Sequence, residues 1–440
     1  MAHTVTITFD STTLTLTLVD YTPTSASASQ PTVTEKWEVY LSAATKALLQ
    51  TEIENINRAF ERARRHQYDP MIDRVYLNFQ PSGYAASQRS EILDGEIQYY
   101  NETLKYGWAN TAFDVKLVIT RRNYWEGALT AIPLTNSNGT DDTSGLNVYN
   151  CNDGDGSSPN KRENYADIDA DDLDGDLPAP VKISLASGGS CIQDPILALF
   201  NSGDLSSMSH VEECEDATGV GTGADSGCSY GYYGYGSGTG VNTALNIFCF
   251  EINSYWASLE VGRWYLPILK LKSVPTIADL WTRVMIDCGM EVATQWITYP
   301  ASGGPSFIQF PPVRLAMKNL GVMIGGLSVQ FKTSTIGAKT IYGDFIYMLP
   351  LDGLRSYHDL ELNGSRGEDE LVDNPYDDIV YKIDVVTGGG KHELVQTKGN
   401  ILMLDPQFDS RLYFLSTSGA SGISVSAVLK AWYRPRRLAL

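Results

Sequence analysis

The chain has 440 residues, 43% of them hydrophobic and 19% charged, with 25 tyrosines, 39 glycines and a formal net charge of −19. That length allows about two to three domains with full cores, and the wealth of Gly, Tyr, Ser and Thr favours sheets and turns over helices. The acidity excludes a sequence-tolerant nucleic-acid binder, which needs a basic surface, and no run of about twenty apolar residues offers a membrane span.

In chain order, residues 4–19 alternate apolar and polar on both sides of a turn at Asp10-Ser11, which predicts a β-hairpin. Residues 21–31 are rich in Ser, Thr, Ala and Pro, without periodicity, and read as a surface arm. A strand over residues 36–41 precedes the clearest helical signal, residues 43–66. There Leu49, Ile53, Ile56, Phe60 and Ala63 recur on one face, and Glu52 and Glu54 precede Arg58, Arg62, Arg64 and Arg65, the order the helix dipole favours. Strands are expected at residues 74–79, 91–99 and 113–121. Together these predict a β-sandwich with one flanking α-helix over residues 1–130.

Residues 131–178 are dense in Asn, Asp, Gly and Ser and read as an extended acidic connector. Residues 181–185 then open a second domain, 179–440. Within it, about residues 203–240 form a Gly/Tyr-rich insertion. Tyr230, Tyr232, Tyr233 and Tyr235 are the candidate ligand-binding residues, because tyrosine offers contact area at little entropic cost. Short strand-like runs follow at intervals of about ten to twenty residues, separated by Gly, Pro, Asn and Asp, and predict an antiparallel sandwich of the jelly-roll kind.

The chemistry-bearing motifs are sparse. The run Asp167, Asp169, Asp171, Asp172, Asp174, Asp176 has hard oxygen ligands for calcium, but a twelve-residue loop starting at Asp167 would need Gly where Asp172 stands and Glu where Pro178 stands. No metal site is therefore assigned. Glu212, Glu213 and Glu215 are too close in sequence to imply paired catalytic carboxylates. Cys214 and Cys228 flank a polar loop and are candidates for a disulfide. No nucleophile elbow, phosphate loop or zinc motif is present, and the histidines lack ligand spacing. No catalytic residue and no cofactor is expected, and the chain reads as a non-enzyme. The basic end, residues 430–438, reads as a last strand whose arginines pair acidic neighbours. The start, Met1-Ala2-His3-Thr4, has no secretory leader pattern, so synthesis in a host cytoplasm is expected.

Three stretches resemble structural proteins of tailed-bacteriophage tails. The order of hairpin, arm, strand, helix and strands ending in Val118-Ile119-Thr120-Arg121-Arg122-Asn123-Tyr124-Trp125-Glu126-Gly127 is similar to the tail-tube-type β-sandwich of tube and distal-tail proteins. Ile132-Pro133-Leu134-Thr135-Asn136 with Gly175-Asp176-Leu177-Pro178-Ala179-Pro180 resembles the joint to a following jelly roll. Asp344-Phe345-Ile346-Tyr347-Met348-Leu349-Pro350, Arg411-Leu412-Tyr413-Phe414-Leu415 and Trp432-Tyr433-Arg434-Pro435 resemble that jelly roll's last strands. The resemblance implies a virion (tail) component, self-associating into a ring or tube beside other virion tail proteins. It also implies an outer sandwich, similar to a carbohydrate-binding module, that contacts either neighbouring subunits or host-surface glycan; the alternative reading is a carbohydrate-binding or adhesion protein that recognises surface glycan through the jelly roll. Neither membrane insertion nor specific nucleic-acid binding is expected.

Overall fold

A computed structural model describes residues 3–22, 30–82, 86–100, 111–136, 139–141, 144–150, 163–188, 191–202, 211–225, 228–235, 244–250, 262–273, 277, 279–287, 291–300, 307–314, 326–334, 339–364, 369–384, 391–417 and 426–438. The protein is mainly β and its sheets are antiparallel. Two compact units form: residues 1–130, 174–179 and 434–440 make the first, and residues 131–173 and 180–433 the second.

The first unit is built from β1 (Thr4–Phe9), β2 (Thr12–Thr22), β3 (Thr32–Ser42), α1 (Lys46–His66), β4 (Val75–Gln80), β5 (Gln88–Tyr99), β6 (Ala112–Arg122) and β7 (Trp125–Glu126). The alternation in β1 buries Val5, Ile7 and Phe9 and turns the threonines between them outward. The expected sandwich closes into a barrel. β1 pairs β2 and β4, β2 pairs β3, β3 pairs β6, and β5 pairs both β4 and β6. β5 achieves this by bending. Its first half pairs β4, its second half pairs β6, and the register slips between Ile92 and Asp94, a bulge of the kind that sharpens local twist. The hairpin is consequently hydrogen-bonded to strands on both sides.

Helix α1 starts at Lys46 because the Thr45 hydroxyl accepts from Leu48 N at 3.3 Å, an N-cap that satisfies an orphan amide. Its face of Leu49, Ile56, Ala59, Phe60 and Ala63 joins the barrel core. Phe60 lies flat on β5 at Gly95, where a Cβ would stand 2.4 Å from the ring. Arg64 holds the same place from the side, donating to Asp94 Oδ1 at 2.6 Å and to the Gly95 carbonyl at 2.5 Å.

A buried ion pair joins the neighbouring strands β3 and β6 on the inner wall of the barrel. Arg121 Nε and Nη2 each donate to a Glu35 oxygen at 2.8 Å, with the two side chains 2% and 1% exposed. Tyr21 OH donates to Glu35 Oε1 at 2.9 Å, and its ring stacks on Trp37 at 3.9 Å. The Arg121 guanidinium lies 4.2 Å from the Trp125 ring. The end of the chain fastens here too. Arg436–Arg437 pairs β7, and Glu126 takes Arg436 at 2.9 Å and Arg89 at 3.2 Å.

The second unit is two jelly rolls, one inside the other. The outer one has a sheet ordered Leu146–Tyr149, Ser426–Tyr433, Ala179–Ser187, Glu370–Asn374. Its second sheet is ordered Tyr165–Ile168, Asp409–Leu415, Ile196–Ser202, Leu354–His358. Numbered along the chain, those eight strands switch sheets at each step except between Ile196–Ser202 and Leu354–His358, which pair with each other, the order of a double Greek key. Between Ile196–Ser202 and Leu354–His358 the chain builds the same pattern again. One inner sheet runs Cys228–Tyr235, Lys339–Pro350, Trp264–Leu271, Phe307–Gln309, and the other Leu245–Phe250, Gly326–Thr333, Leu280–Asp287, Glu291–Ala293.

This departs from the sequence reading in three places. Residues 131–178 are not only a connector: Leu146–Tyr149 and Tyr165–Ile168 are jelly-roll strands, burying Leu146, Val148, Ala166 and Ile168. The insertion does not stop near residue 240 but runs through Pro350. The last seven residues belong to the first unit. The two rolls meet over Ala198, Tyr413 and Leu415 against Leu266, Phe345, Tyr347 and Leu349.

Two outcomes follow from the barrel interior. Arg121→Met leaves the Glu35 carboxylate dry and unpaired, so urea unfolding should show a loss of about 3–5 kcal/mol; a loss below about 1 kcal/mol would contradict the pair's role. Burial, and then the Glu35 charge and hydrogen bond, raise the Tyr21 hydroxyl well above its ordinary 10.0. The folded chain keeps that proton where the unfolded chain releases it. Tyr21 therefore contributes stability that is whole below pH 10.0 and lost as pH rises above it. Tyr21→Phe should flatten the decline measured above that pH.

Candidate functional site

The candidate tyrosines lie on a strand, not a loop. Cys228–Tyr235 pairs Gly221–Asp225 on one side and Lys339–Pro350 on the other. The residue paired with Tyr232 must be small: a Cβ on Gly221 would stand 2.4 Å from the Tyr232 ring. Tyr232 is 39% exposed and meets Tyr342 at 6.0 Å. Tyr233, the next residue, points through the pleat to the opposite face and packs on the core between the inner sheets. The two do not share a surface. The side chains of Tyr230 and Tyr235 lie outside the described residues.

The aspartate run is divided among separate tasks. Asp167 pairs Arg411, with Nε at 2.5 Å and Nη2 at 2.9 Å. Burial pushes its carboxyl up and the Arg411 hydrogen bond draws it back. Asp169 caps a short turn by accepting from Asp171 N at 2.9 Å, and Asp174 lies 3.7 Å from Arg437. Among the described residues no group of three or more His, Cys, Asp or Glu side chains is placed to hold a metal ion. Cys214 is buried in the inner core, while the Cys228 side chain and those of Glu212, Glu213 and Glu215 lie outside the described residues. His3 stacks on Phe79 and His392 on Tyr381. His66 Nδ1 is 2.5 Å from the Ile72 carbonyl.

Two features escaped the sequence reading. The first is a cleft of about 360 Å³ in the outer roll, lined by Arg355, Asp373, Asp378, Ile379, Leu394 and Ile401. On its floor Arg355 Nε donates to Asp373 Oδ2 at 2.7 Å, and Tyr357 OH donates to the same oxygen at 2.9 Å. Leu394 at its rim is 81% exposed. The second is the outward face of Leu280–Asp287 and Gly326–Thr333. The register sets Trp281 against Lys332 and Arg283 against Gln330. Trp296 lies across both strands, its ring centre 4.6 Å from the Arg283 guanidinium and 4.3 Å from Lys332 Nζ. The strict alternation of Leu280, Thr282, Val284 and Ile286 inward was the available signal, since it leaves Trp281 and Arg283 outward.

Deep in the inner roll, Lys270 is 1% exposed. Burial lowers its ammonium to about 8, against the Asp344 charge, which raises it.

No family model and no curated protein sequence matches the chain. Among solved structures, a chain of the phage P2 baseplate in its activated conformation with Ca aligns over 78% of this chain and 98% of its own, at 10% identity and a TM-score of 0.20. The infectious bursal disease virus VP2 subviral particle aligns over 70% and 80%, at 8% identity and a TM-score of 0.16. Scores of this size define no shared family, and the architecture stands on strand order and core.

The tyrosine strand yields a clean contrast. Tyr232→Ala, at the surface, should change unfolding free energy by no more than about 0.5 kcal/mol. Tyr233→Ala removes a core contact and should cost about 2 kcal/mol or more. Equal effects in chemical denaturation would show that the two side chains do not divide in this way.

Proposed function

We propose that the chain is a non-enzymatic structural subunit of a virion, in a phage-type tail, assembling as a ring or tube through its barrel unit and carrying the nested jelly rolls as a decoration. The observation that carries this reading is the nesting itself. The described strands are spent on one closed barrel and two double-Greek-key sandwiches, an investment in rigid, stackable β modules. Jelly rolls recur in viral capsid proteins, which is an analogy of fold and not of site. The barrel also offers a contact surface: Tyr68 is 89% exposed and Met71 88%, three residues apart in the chain just after α1, where a neighbouring copy would dry them. The net charge of −19 suits passage of nucleic acid along an assembled channel without adhesion.

A second reading, recognition of surface glycan by the inner roll, is favoured by its outward face of aromatic and basic side chains.

The test is negative-stain electron microscopy across a concentration series. Rings or tubes with a central channel are expected, and Met71→Asp should shift their appearance to higher concentration. Isolated monomers at every concentration would overturn the assembly reading.

A further inference from the structure

Arginines on this chain are mostly neutralised. Arg121 has Glu35, Arg122 has Glu91, Arg355 has Asp373, Arg411 has Asp167 and Arg436 has Glu126. On the outward face of the inner roll the pattern breaks. Arg283 Nε donates to Gln330 Oε1 at 2.7 Å, and Gln330 Nε2 donates to Asn246 Oδ1 at 2.7 Å. This neutral chain fixes the guanidinium plane and leaves its two terminal nitrogens without an acceptor among the described residues. Lys332 Nζ sits between two indoles, 4.3 Å from Trp296 and 5.5 Å from Trp281, also without a carboxylate among the described residues. Two unneutralised cations held on aromatic rings, on a chain of net charge −19, form a local positive site in a repelling field.

The side chains match one ligand chemistry. Trp281, 37% exposed, presents an aromatic ring to the apolar face of a pyranose. The planar terminal nitrogens of Arg283 suit a carboxylate, which takes two parallel hydrogen bonds, and Lys332 adds a point charge. Asn246, exposed at the end of the polar chain, is placed for sugar hydroxyls. A purely anionic partner would not need the indoles, and a neutral sugar would not need two cations.

We propose that the face formed by Trp281, Arg283, Trp296 and Lys332 binds a carboxylate-bearing saccharide. This deepens the glycan reading above and rests on it, while it is independent of whether the barrel forms rings. Binding is selective because of the charge: acidic sugars are drawn to a part of this surface where Coulomb attraction and stacking coincide, and the acidic remainder of the chain repels them.

The experiment is titration of the full-length protein, by calorimetry and tryptophan fluorescence, with sialyllactose and trigalacturonate against lactose and a neutral galactose trisaccharide. Both acidic sugars should bind at least tenfold more tightly than their neutral counterparts, with affinity falling as salt rises. Lys332→Gln and Arg283→Gln should each remove that preference with circular dichroism unchanged. Should either variant unfold, the salt dependence of the wild-type protein serves as the check. Equal binding of neutral and acidic sugars, or acidic binding that survives both substitutions but is lost on Tyr232→Ala, would overturn this site and keep the glycan reading. No binding of any of the four sugars would overturn both.

Discussion

The buried Glu35–Arg121 pair is the constraint around which the barrel is arranged. Two charges 2% and 1% exposed are tolerable only when every lone pair and N–H has a partner. The barrel meets that demand with groups from four adjacent strands, β2, β3, β6 and β5. Tyr21 from β2 and Glu35 from β3 face Arg121 from β6, the Ser90 hydroxyl lies 3.4 Å from Arg121 Nη1, and the Arg122 carbonyl takes the same nitrogen at 2.8 Å. Trp37 and Trp125 cover the pair with rings. Slipping any strand by one residue would turn its contribution outward. The pair therefore stabilises one register more than it stabilises the folded state as such.

The second unit solves a different problem, how to hang one sandwich on another. The strand Lys339–Pro350 does this by being apolar on both faces. Ile341, Ile346 and Met348 enter the core between the inner sheets, while Phe345, Tyr347 and Leu349 enter the core shared with the outer roll. Tyr347 OH completes the joint, lying 3.2 Å from the Phe414 carbonyl and 3.3 Å from that of Asn164. A long strand buried on both faces reads as a continuous apolar run, and Phe345 to Leu349 is such a run. The inner roll is thus held to the outer one by a packed interface and not by its two chain connections alone.

Local elements were legible and their assembly was not. The hairpin, the helix and the late strands follow from periodicity in residues such as Val5, Ile7 and Phe9, or Leu49, Ile56 and Phe60, which each element carries within itself. The strands Leu146–Tyr149 and Tyr165–Ile168 offer only two inward residues each amid Asn and Asp, too short a signal to separate from loop. The Gly/Tyr run misled for the opposite reason: its glycines look like loop, yet the run is a strand whose partner is small at Gly221 so that the Tyr232 ring can lie against it. Nesting could not be read at all. It depends on which strands pair across a separation such as Leu245 to Phe331, and such pairing is decided by the packed core, not by either segment. Of the four candidate tyrosines, Tyr232 and Tyr233 part to opposite faces, a consequence of simple alternation once the segment is known to be a strand.

Charge placement links these levels. With 52 acidic and 33 basic residues, each cation has more than one carboxylate available, and most described arginines are used as fasteners between strands distant in sequence. Arg411 ties to Asp167 across 244 positions, and Arg436 ties to Glu126 across 310. In an acidic chain this is the expected outcome, because a cation near the surface lowers its energy by finding any of several anions. Leaving Arg283 and Lys332 on indole rings instead forgoes that gain. The Gln330–Asn246 chain that holds Arg283 is neutral, so it orients the guanidinium without discharging it, and cation–π contacts of about 0.5–2 kcal/mol keep the positive charge in place while leaving it available. Most described arginines are structural under that rule, and Arg283 and Lys332, held together on one pair of indoles, depart from it in a way that an anionic ligand would account for.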